Sequence, residues 1–413
     1  MEEFILDTKE LCLPRNLLET IKLAARRAGI KRIALTGGVI RDHLLHFYFK
    51  HPISMPKDLD LIIEGEPFIL AKVLEQEIGT ERVEIVRENK LFQTIEMKID
   101  DFPVDVASAR EDQYLLSAEN PKTISTTIEK DLRRRDFTLN AIALELTSNT
   151  LIDLHNGRDS IKKRHLELIH PKSIEDDPTR IIRAARYASR LDLRLSPKSL
   201  YQVQSTLDKW PWHWKPDDTS EAAPAALSTR LRMELELLFS QEPFKKAIQY
   251  LQNWGALILL DNQLQSDSTW SERLDLALKF EISPLIAFIA SASNPIQLAK
   301  RLQLAQRKQK ILVESIAIQE FFNEIHEKQT YINWLPSDWC EAIEKNKWDK
   351  DSIAIAICLN HPLREPLYKW IKSWRLEKSP ISANELITQG WAPGPSLKAE
   401  LKRLRKEKLD GMN

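Results

Sequence analysis

The chain contains two kinds of apolar pattern. Arg32–Thr36, Leu59–Ile63, Val83–Val86, Thr94–Ile99 and Val104–Ala107 are short runs rich in Ile, Val and Leu, mixed with helical stretches, and they read as strands. From about residue 160 the period changes. Asp177–Leu191, Leu227–Phe239, Pro243–Trp254, Ile296–Leu312 and Leu397–Leu409 carry apolar residues three and four apart with charges between them, which predicts amphipathic helices. Six of the ten glycines lie at or before Gly157, so the turn-rich part is N-terminal and a boundary is expected near 150–170. The pattern predicts an α+β head carrying an all-helical remainder. Between them, the Pro- and Trp-rich stretch from Lys209 to Ala226 reads as a surface loop or insertion.

Composition narrows the class. At 413 residues, with 43% hydrophobic and 29% charged positions, the chain has the make-up of a folded protein of several packed units. Sixty basic residues balance sixty acidic ones, so a polyanionic partner must be met by local patches. Cys12, Cys340 and Cys358 are scattered and lack metal-ligand spacing, which argues against a disulfide framework or zinc site and fits a reducing cytoplasm. Met1–Phe4 is acidic where a secretory leader is basic, and no apolar run approaches the length of a membrane span. A chain neither exported nor embedded is expected.

Chemistry concentrates in a few places. In Lys57-Asp58-Leu59-Asp60 the two aspartates stand two apart, so on a strand both side chains leave one face while Leu59 and Leu61 take the other. Adjacent carboxylates repel, and a bound Mg²⁺ would relieve that repulsion while keeping positions open for phosphate oxygens. Asp-x-Asp also occurs on exposed strand ends. Upstream, Thr36-Gly37-Gly38-Val39-Ile40-Arg41-Asp42 follows an apolar strand and opens a helix. There glycine lets backbone N–H groups approach a triphosphate and Arg41 can clamp it; the alternative is an ordinary tight turn. Neither a Walker loop nor a dinucleotide fingerprint is present. Asp105, in Val104–Ala107, is either a third carboxylate from an adjacent strand or a structural acid.

Further on, Arg134-Arg135-Asp136-Phe137-Thr138-Leu139-Asn140 sets charges at the edge of an apolar face, where Arg135 and Asp136 can grip a ribose or phosphate. Asp177-Pro178-Thr179-Arg180 opens a helix on which Arg180, Arg183 and Arg186 recur at three-residue spacing. Asp177 and Arg180 either form a salt bridge or read a base. A carboxylate accepts from an exocyclic amine while a guanidinium donates to the adjacent ring acceptor, a pattern that cytosine and adenine share and that uracil and guanine reverse.

Taken in order, Gly37–Asp42, Asp58–Asp60, Arg134–Ala141 and Asp177–Arg180 resemble the motifs of the class II tRNA nucleotidyltransferase and bacterial poly(A) polymerase family. Leu151–Asp153 with Gly157–Asp159, Arg230–Leu235, and Ser382–Gly390 with Pro393–Pro395 are similar to that family's connecting, neck-helix and tail motifs. The resemblance implies a polymerase-β-like head at 1–155, a helical neck at 156–240, a helical body at 241–330 and a tRNA-binding helical tail at 331–413. It implies addition of CCA, or part of it, to tRNA 3′ ends from CTP and ATP, with Mg²⁺ held by Asp58 and Asp60 and Asp105 as a further catalytic candidate. Gly37, Gly38, Arg41, Asp42, Arg134, Arg135, Asp136, Asn140, Asp177, Arg180, Arg183 and Arg186 become the nucleotide-binding set. The run Lys398–Lys408 holds six basic residues against two acidic ones, fitting either a tRNA contact or a solvated helix.

Departures from the family pattern are local. Asp42 and Asp58 stand 58 − 42 = 16 positions apart, longer than usual, and His46–His51 fills the space. Asp176 stands where the family usually has Glu. Asp112–Ile128, matching a flexible loop that in the family governs the switch from C to A addition, lacks the basic pair often seen there, and no His-Asp dyad of a phosphohydrolase is present. Alternatives are a poly(A) polymerase, a CC-only or A-only enzyme and, from another class, a catalytically silent RNA-binding protein.

Overall fold

A computed structural model of the chain describes residues 11–216 and 218–411; Met1–Phe4 and Asp217 lie outside the described residues. The chain forms two compact units. One joins residues up to 215 with 224–256, and the other joins 216–223 with 257 onward.

The first unit is built on a seven-stranded mixed sheet. Its elements run α1 (Leu17–Arg27), β1 (Ile33–Thr36), α2 (Gly38–Phe49), β2 (Leu59–Ile63), α3 (Pro67–Ile78), β3 (Val83–Asn89), β4 (Thr94–Ile99) and β5 (Phe102–Ser108). There follow β6 (Arg110–Gln113), β7 (Lys122–Ser125), α4 (Ile128–Arg133), β8 (Ala143–Glu145) and β9 (Thr150–Ile152). The sheet order is β3-β4-β5-β2-β1-β8-β9, with β2 and β5 parallel and the other pairs antiparallel. Position in the sheet explains the sequence pattern. Central β1 is buried at all four residues and so reads as continuous Ile-Ala-Leu-Thr, whereas β4 buries Ile95, Met97 and Ile99 and turns Glu96 and Lys98 outward. All five predicted strands are present. Strands β8 and β9, three residues each, are too short to show a period, and the 112–128 stretch holds the end of β6, the connection to β7, and β7 itself.

Beyond the sheet come α5 (Gly157–Lys162), β10 (His165–Leu166), α6 (Ser173–Asp176), α7 (Thr179–Leu191), β11 (Arg194–Leu195), α8 (Pro197–Lys209), α9 (Thr229–Gln241) and α10 (Phe244–Asn253). The predicted Lys209–Ala226 loop is irregular and exposed at His213, Lys215, Asp218, Thr219, Glu221 and Ala222, but it buries Trp212 and Trp214, each 3% exposed. The 43–57 stretch lengthens α2 to Phe49, and its aromatics dock on α5 and the turn that follows, with Lys162 over Tyr48 and Arg164 over Phe49.

Every regular element among the described residues of the second unit is a helix. The single helix expected over Ile296–Leu312 is two, Pro295–Arg301 and Gln306–Glu327. Gln303 turns left-handed at φ 50°, which drives Leu302 and Leu304 into the core at the corner. The helix Pro395–Asp410 matches its prediction.

Candidate active site

Strand β1 ends at Thr36 and the chain turns at Gly37 into α2. Gly37 has φ 76°, and a Cβ there would collide with Asp60 Oδ2, so backbone conformation and the neighbouring carboxylate both demand glycine. No side chain caps this helix start. Gly37 and Gly38 line a cavity of about 700 Å³, and the positive end of α2 therefore opens on it.

Three carboxylates gather beside the turn. Asp60 is paired in register with Thr36 of β1 on one side and with Asp105 of β5 on the other. Asp58 is exposed just before β2, while Leu59 and Leu61 are buried as the alternation predicts. Burial and the adjacent Asp58 push the Asp60 carboxyl above its ordinary range, against the pull of Arg135 and Arg41. Asp105 is raised to about 6 by burial, Asp60, Glu96 and Asp58. Among the described residues no group of three or more His, Cys, Asp or Glu side chains forms a ready-made metal cage. An under-neutralised aspartate pair beside a glycine turn instead fits a hard divalent cation that keeps open positions for substrate oxygens.

The rest of the lining is rich in paired arginines. Arg41, 6% exposed, donates through Nε to Asp42 Oδ1 (2.7 Å) and through Nη1 to Asn140 Oδ1 (3.2 Å). Asn140 Nδ2 donates to Asp136 Oδ1 (3.0 Å), and Asp136 Oδ2 accepts from Arg183 Nε (2.7 Å). Burial alone would raise the Asp136 carboxyl, but Arg183, together with the Asn140 and Arg183 hydrogen bonds, holds it down to about 2. The Tyr187 ring lies 5.4 Å from the Arg41 guanidinium and 5.6 Å from that of Arg183, an electron-rich face between two cations.

The predicted base-reading pair is present but not as a pair. Asp177 lies in the extended link between α6 and α7. Its Oδ1 accepts from Thr179 N (3.1 Å) and Thr179 Oγ1 (2.6 Å), and its Oδ2 meets Arg230 Nη2 from α9. Arg180, 5% exposed, donates to the Ser173 hydroxyl, to His170 Nε2 (3.2 Å) and to Arg134 O (2.8 Å). Burial and the Arg180 charge depress His170 to about 4, leaving it a neutral acceptor. The i,i+3 salt bridge is therefore absent, and both side chains are held by others on one cavity wall.

Gly37, Gly38, Arg41, Asp60, Arg134, Arg135, Asp136, Asn140, Asp177, Arg180 and Arg183 all line this cavity. Asp42 sits behind Arg41 as its ion-pair partner, and Asp58 and Asp105 flank Asp60. Arg186 does not line the cavity: it is tied to Glu234 and Glu242. Arg230, Glu234, Arg110, Asp112, Tyr114 and Tyr187 line it without having been singled out as site residues. Arg230 and Glu234 carried a signal, an i,i+4 pair within the neck-helix motif; Asp112 and Tyr114 fall in the stretch that resembles the family's flexible loop, and Arg110 and Tyr187 carried none.

In the second unit, the basic run of helix Pro395–Asp410 is largely spoken for. Lys402 pairs with Glu341, Arg403 with Glu400 and Glu407, Arg405 with Glu344, Lys406 with Asp338 and Lys408 with Glu377.

Residues 33–167 match the family model described as the poly(A) polymerase head domain. The CC-adding tRNA nucleotidyltransferase of Deinococcus radiodurans is 30% identical over 303 residues, covering 71% of this chain and 73% of that protein. The A-adding tRNA nucleotidyltransferase of Aquifex aeolicus is 35% identical over 168 residues, which are 40% of this chain and 19% of that one. Among solved structures, a CCA-adding enzyme in its apo form II superposes with a TM-score of 0.71 at 22% identity, covering 98% of this chain and 93% of that chain. The Thermotoga maritima CCA-adding enzyme complexed with tRNA gives 0.68 at 22% identity over 99% and 93%. Both likenesses establish the fold.

Proposed function

We infer the activity of a chain that belongs to the tRNA nucleotidyltransferase family: it extends tRNA 3′ ends with CMP and AMP units from CTP and ATP, completing CCA or part of it and releasing pyrophosphate. The observation that carries this reading is one cavity lined together by a glycine turn, Asp60 and the separately held Asp177 and Arg180.

Each group has a role in this reading. Gly37, Gly38 and the start of α2 present backbone N–H groups to the triphosphate, and Arg41, immobilised by Asp42 and Asn140, balances its charge. Arg134, Arg135 and Asp136 stand at the ribose side. Both Asp136 oxygens are already engaged, so its part is to hold Arg183 and Asn140 in place. Asp177 accepts from the exocyclic amine of cytosine or adenine, and Arg180 donates to the adjacent ring nitrogen. Arg186 works from behind, keeping Glu234 in position against Arg183.

Family chemistry uses a divalent metal, and here we assign Mg²⁺, held by Asp58 and Asp60 with Asp105 beside them. When bound, it supplies charge stabilisation for in-line attack of the RNA 3′-OH on the α-phosphate. The division into head (1–155), neck (156–240), body (241–330) and tail (331–413) belongs to the same reading, with tRNA held partly by the tail. No described helix is long and apolar enough to cross a membrane, and the proposed place of action is the cytoplasm.

The test is single-turnover extension of three tRNA transcripts, ending before CCA, after CC and after CCA, offered CTP, ATP or both. Three additions to the first and none to the last establish CCA addition. The match over 73% of the Deinococcus CC-adding enzyme favours a second reading, CC-only addition, which the assay reports as a stop after two. Long tails on any 3′ end would make the protein a poly(A) polymerase, and incorporation nowhere would leave a silent RNA-binding protein.

A further inference from the structure

The Trp- and Pro-rich stretch after α8 stands apart from every family motif, yet it reaches the base-reading wall. Trp210 ends α8 in a left-handed conformation and donates through Nε1 to Trp214 O (2.7 Å), closing a compact turn. Within that turn Trp212 packs edge-on against Trp210 at 5.0 Å and is 3% exposed. Its indole N–H donates to Glu175 O at 2.9 Å. A buried indole N–H is satisfied here by a carbonyl of α6, the four-residue helix that leads into Asp177.

Helix α6 is too short to hold itself. A single turn fixes several dihedrals for one or two hydrogen bonds, so its position must come from outside contacts. It carries the Ser173 hydroxyl and carbonyl that accept from Arg180 Nη1, and its last residue is joined directly to Asp177. Besides the burial of Ser173 and Ile174, hydrogen bonds from outside fix the segment: Trp212 on Glu175 O, Ala118 N on Asp176 O (3.1 Å), and Gln202 Nε2 from α8 on His170 O (3.1 Å) and Pro171 O (2.5 Å). Only the first comes from the tryptophan turn.

We propose that Trp212 is a positioning residue for base selection: by fixing α6 through Glu175 O it sets the direction of the Arg180 guanidinium and the start of the Asp177 link. The inference rests on the base-reading role given above to Asp177 and Arg180. Loosening α6 takes the Ser173 hydroxyl and carbonyl away from Arg180 Nη1 and leaves the guanidinium to His170 Nε2 and Arg134 O alone, which weakens the grip on the cognate base and lowers the penalty on the reversed donor–acceptor pattern of uracil and guanine. The triphosphate end, held by Gly37, Gly38 and Arg41, is untouched.

The experiment is single-turnover incorporation from each of the four nucleoside triphosphates on tRNA lacking CCA and on tRNA ending in CC, using the full chain. Trp212→Phe keeps a buried ring and removes the N–H; Ser173→Ala removes the hydroxyl further along the same route; Arg180→Ala tests the underlying reading. Losing one hydrogen bond's worth of positioning should lower the CTP-over-UTP and ATP-over-GTP ratios about three- to tenfold in the first two variants. That change should sit in KM, with kcat for the cognate nucleotide within about twofold, because the reacting groups do not move. Arg180→Ala should collapse the ratios. Wild-type ratios in Trp212→Phe and Ser173→Ala beside a collapse in Arg180→Ala overturn the Trp212 role and leave base reading standing. Retained selectivity in Arg180→Ala overturns both. A uniform fall in kcat for all four nucleotides with a lowered melting temperature would mean Trp212 merely supports the fold, which also overturns the proposal. If Trp212→Phe does not fold, Trp212→Tyr takes its place: it keeps a buried ring without the indole N–H, and wild-type ratios in it overturn the Trp212 role.

Discussion

The two ends of the cavity are opposites in electrostatic finish. On the arginine wall the named charges have partners before any substrate arrives: Arg183 with Asp136 and Glu234, Asp177 with Arg230, Arg134 with Asp131 and Asp112. At the carboxylate end Asp58, Asp60 and Asp105 face mainly one another, and burial with mutual repulsion raises Asp60 and Asp105 above the ordinary aspartate range. A prepaired wall reads shape without rearranging, and an under-neutralised end waits for a cation. The first property suits selection among bases, and the second suits chemistry that begins only when metal and triphosphate are both bound.

The largest effect should come from the carboxylate end. Asp60→Asn keeps the shape, removes the charge and should cut nucleotide incorporation about 10³-fold or more while the melting temperature holds or rises. Incorporation within tenfold of wild type would erase the distinction drawn between the two ends. Asp136→Asn is the matching blow to the wall and should act oppositely on stability. It strips Arg183 of one of its two carboxylates inside the protein and should cost about 3 kcal/mol of folding free energy, read by urea denaturation.

The pH dependence sharpens the same contrast. A carboxyl raised to about 6 binds its proton more tightly in the folded chain than in the unfolded one, so Asp105 removes stability as pH climbs from the ordinary aspartate range through about 6. Asp136, depressed to about 2, does the reverse: its contribution is present above the ordinary range and is lost only in strong acid. Metal-free protein should therefore lose melting temperature between pH 4 and pH 6.5. Asp105→Asn should flatten that slope, and Mg²⁺ should stabilise more at pH 7.5 than at pH 5. Equal Mg²⁺ stabilisation at both values would detach the cation from these carboxylates.

How much of this was legible follows from how local each feature is. Asp58 and Asp60 declare themselves because strand alternation places residues two apart on one face, and Gly37 because its turn has no other solution. Arg186 stands behind the lining rather than on it for an equally local reason. Each three-residue step falls about 60° short of a full turn on a helix, so by Arg186 the face has rotated about 120° from Arg180 and meets Glu234 and Glu242 instead of the cavity. Arg230 reaches Asp177 across 53 positions, a distance no periodicity encodes. The Trp-rich stretch looked like a loop because Pro and irregular spacing dominate its pattern. Its burial depends on a carbonyl at Glu175, 37 positions away.

The smallest expected effect concerns charges that are paired but exposed. On helix Pro395–Asp410, Lys402 meets Glu341 at 2.8 Å, yet the two side chains are 70% and 57% exposed, so the pair contributes about 0–1 kcal/mol at most and is screened by salt. Such a lysine can exchange its carboxylate for an RNA phosphate at little cost, which Arg183 on the cavity wall cannot do. Glu341→Ala should leave the melting temperature nearly unchanged, tighten tRNA binding about two- to threefold at low salt, and steepen the salt dependence by less than about one counterion. An unchanged affinity and slope in that variant would place this helix away from RNA and return its basic run to the solvated-face reading.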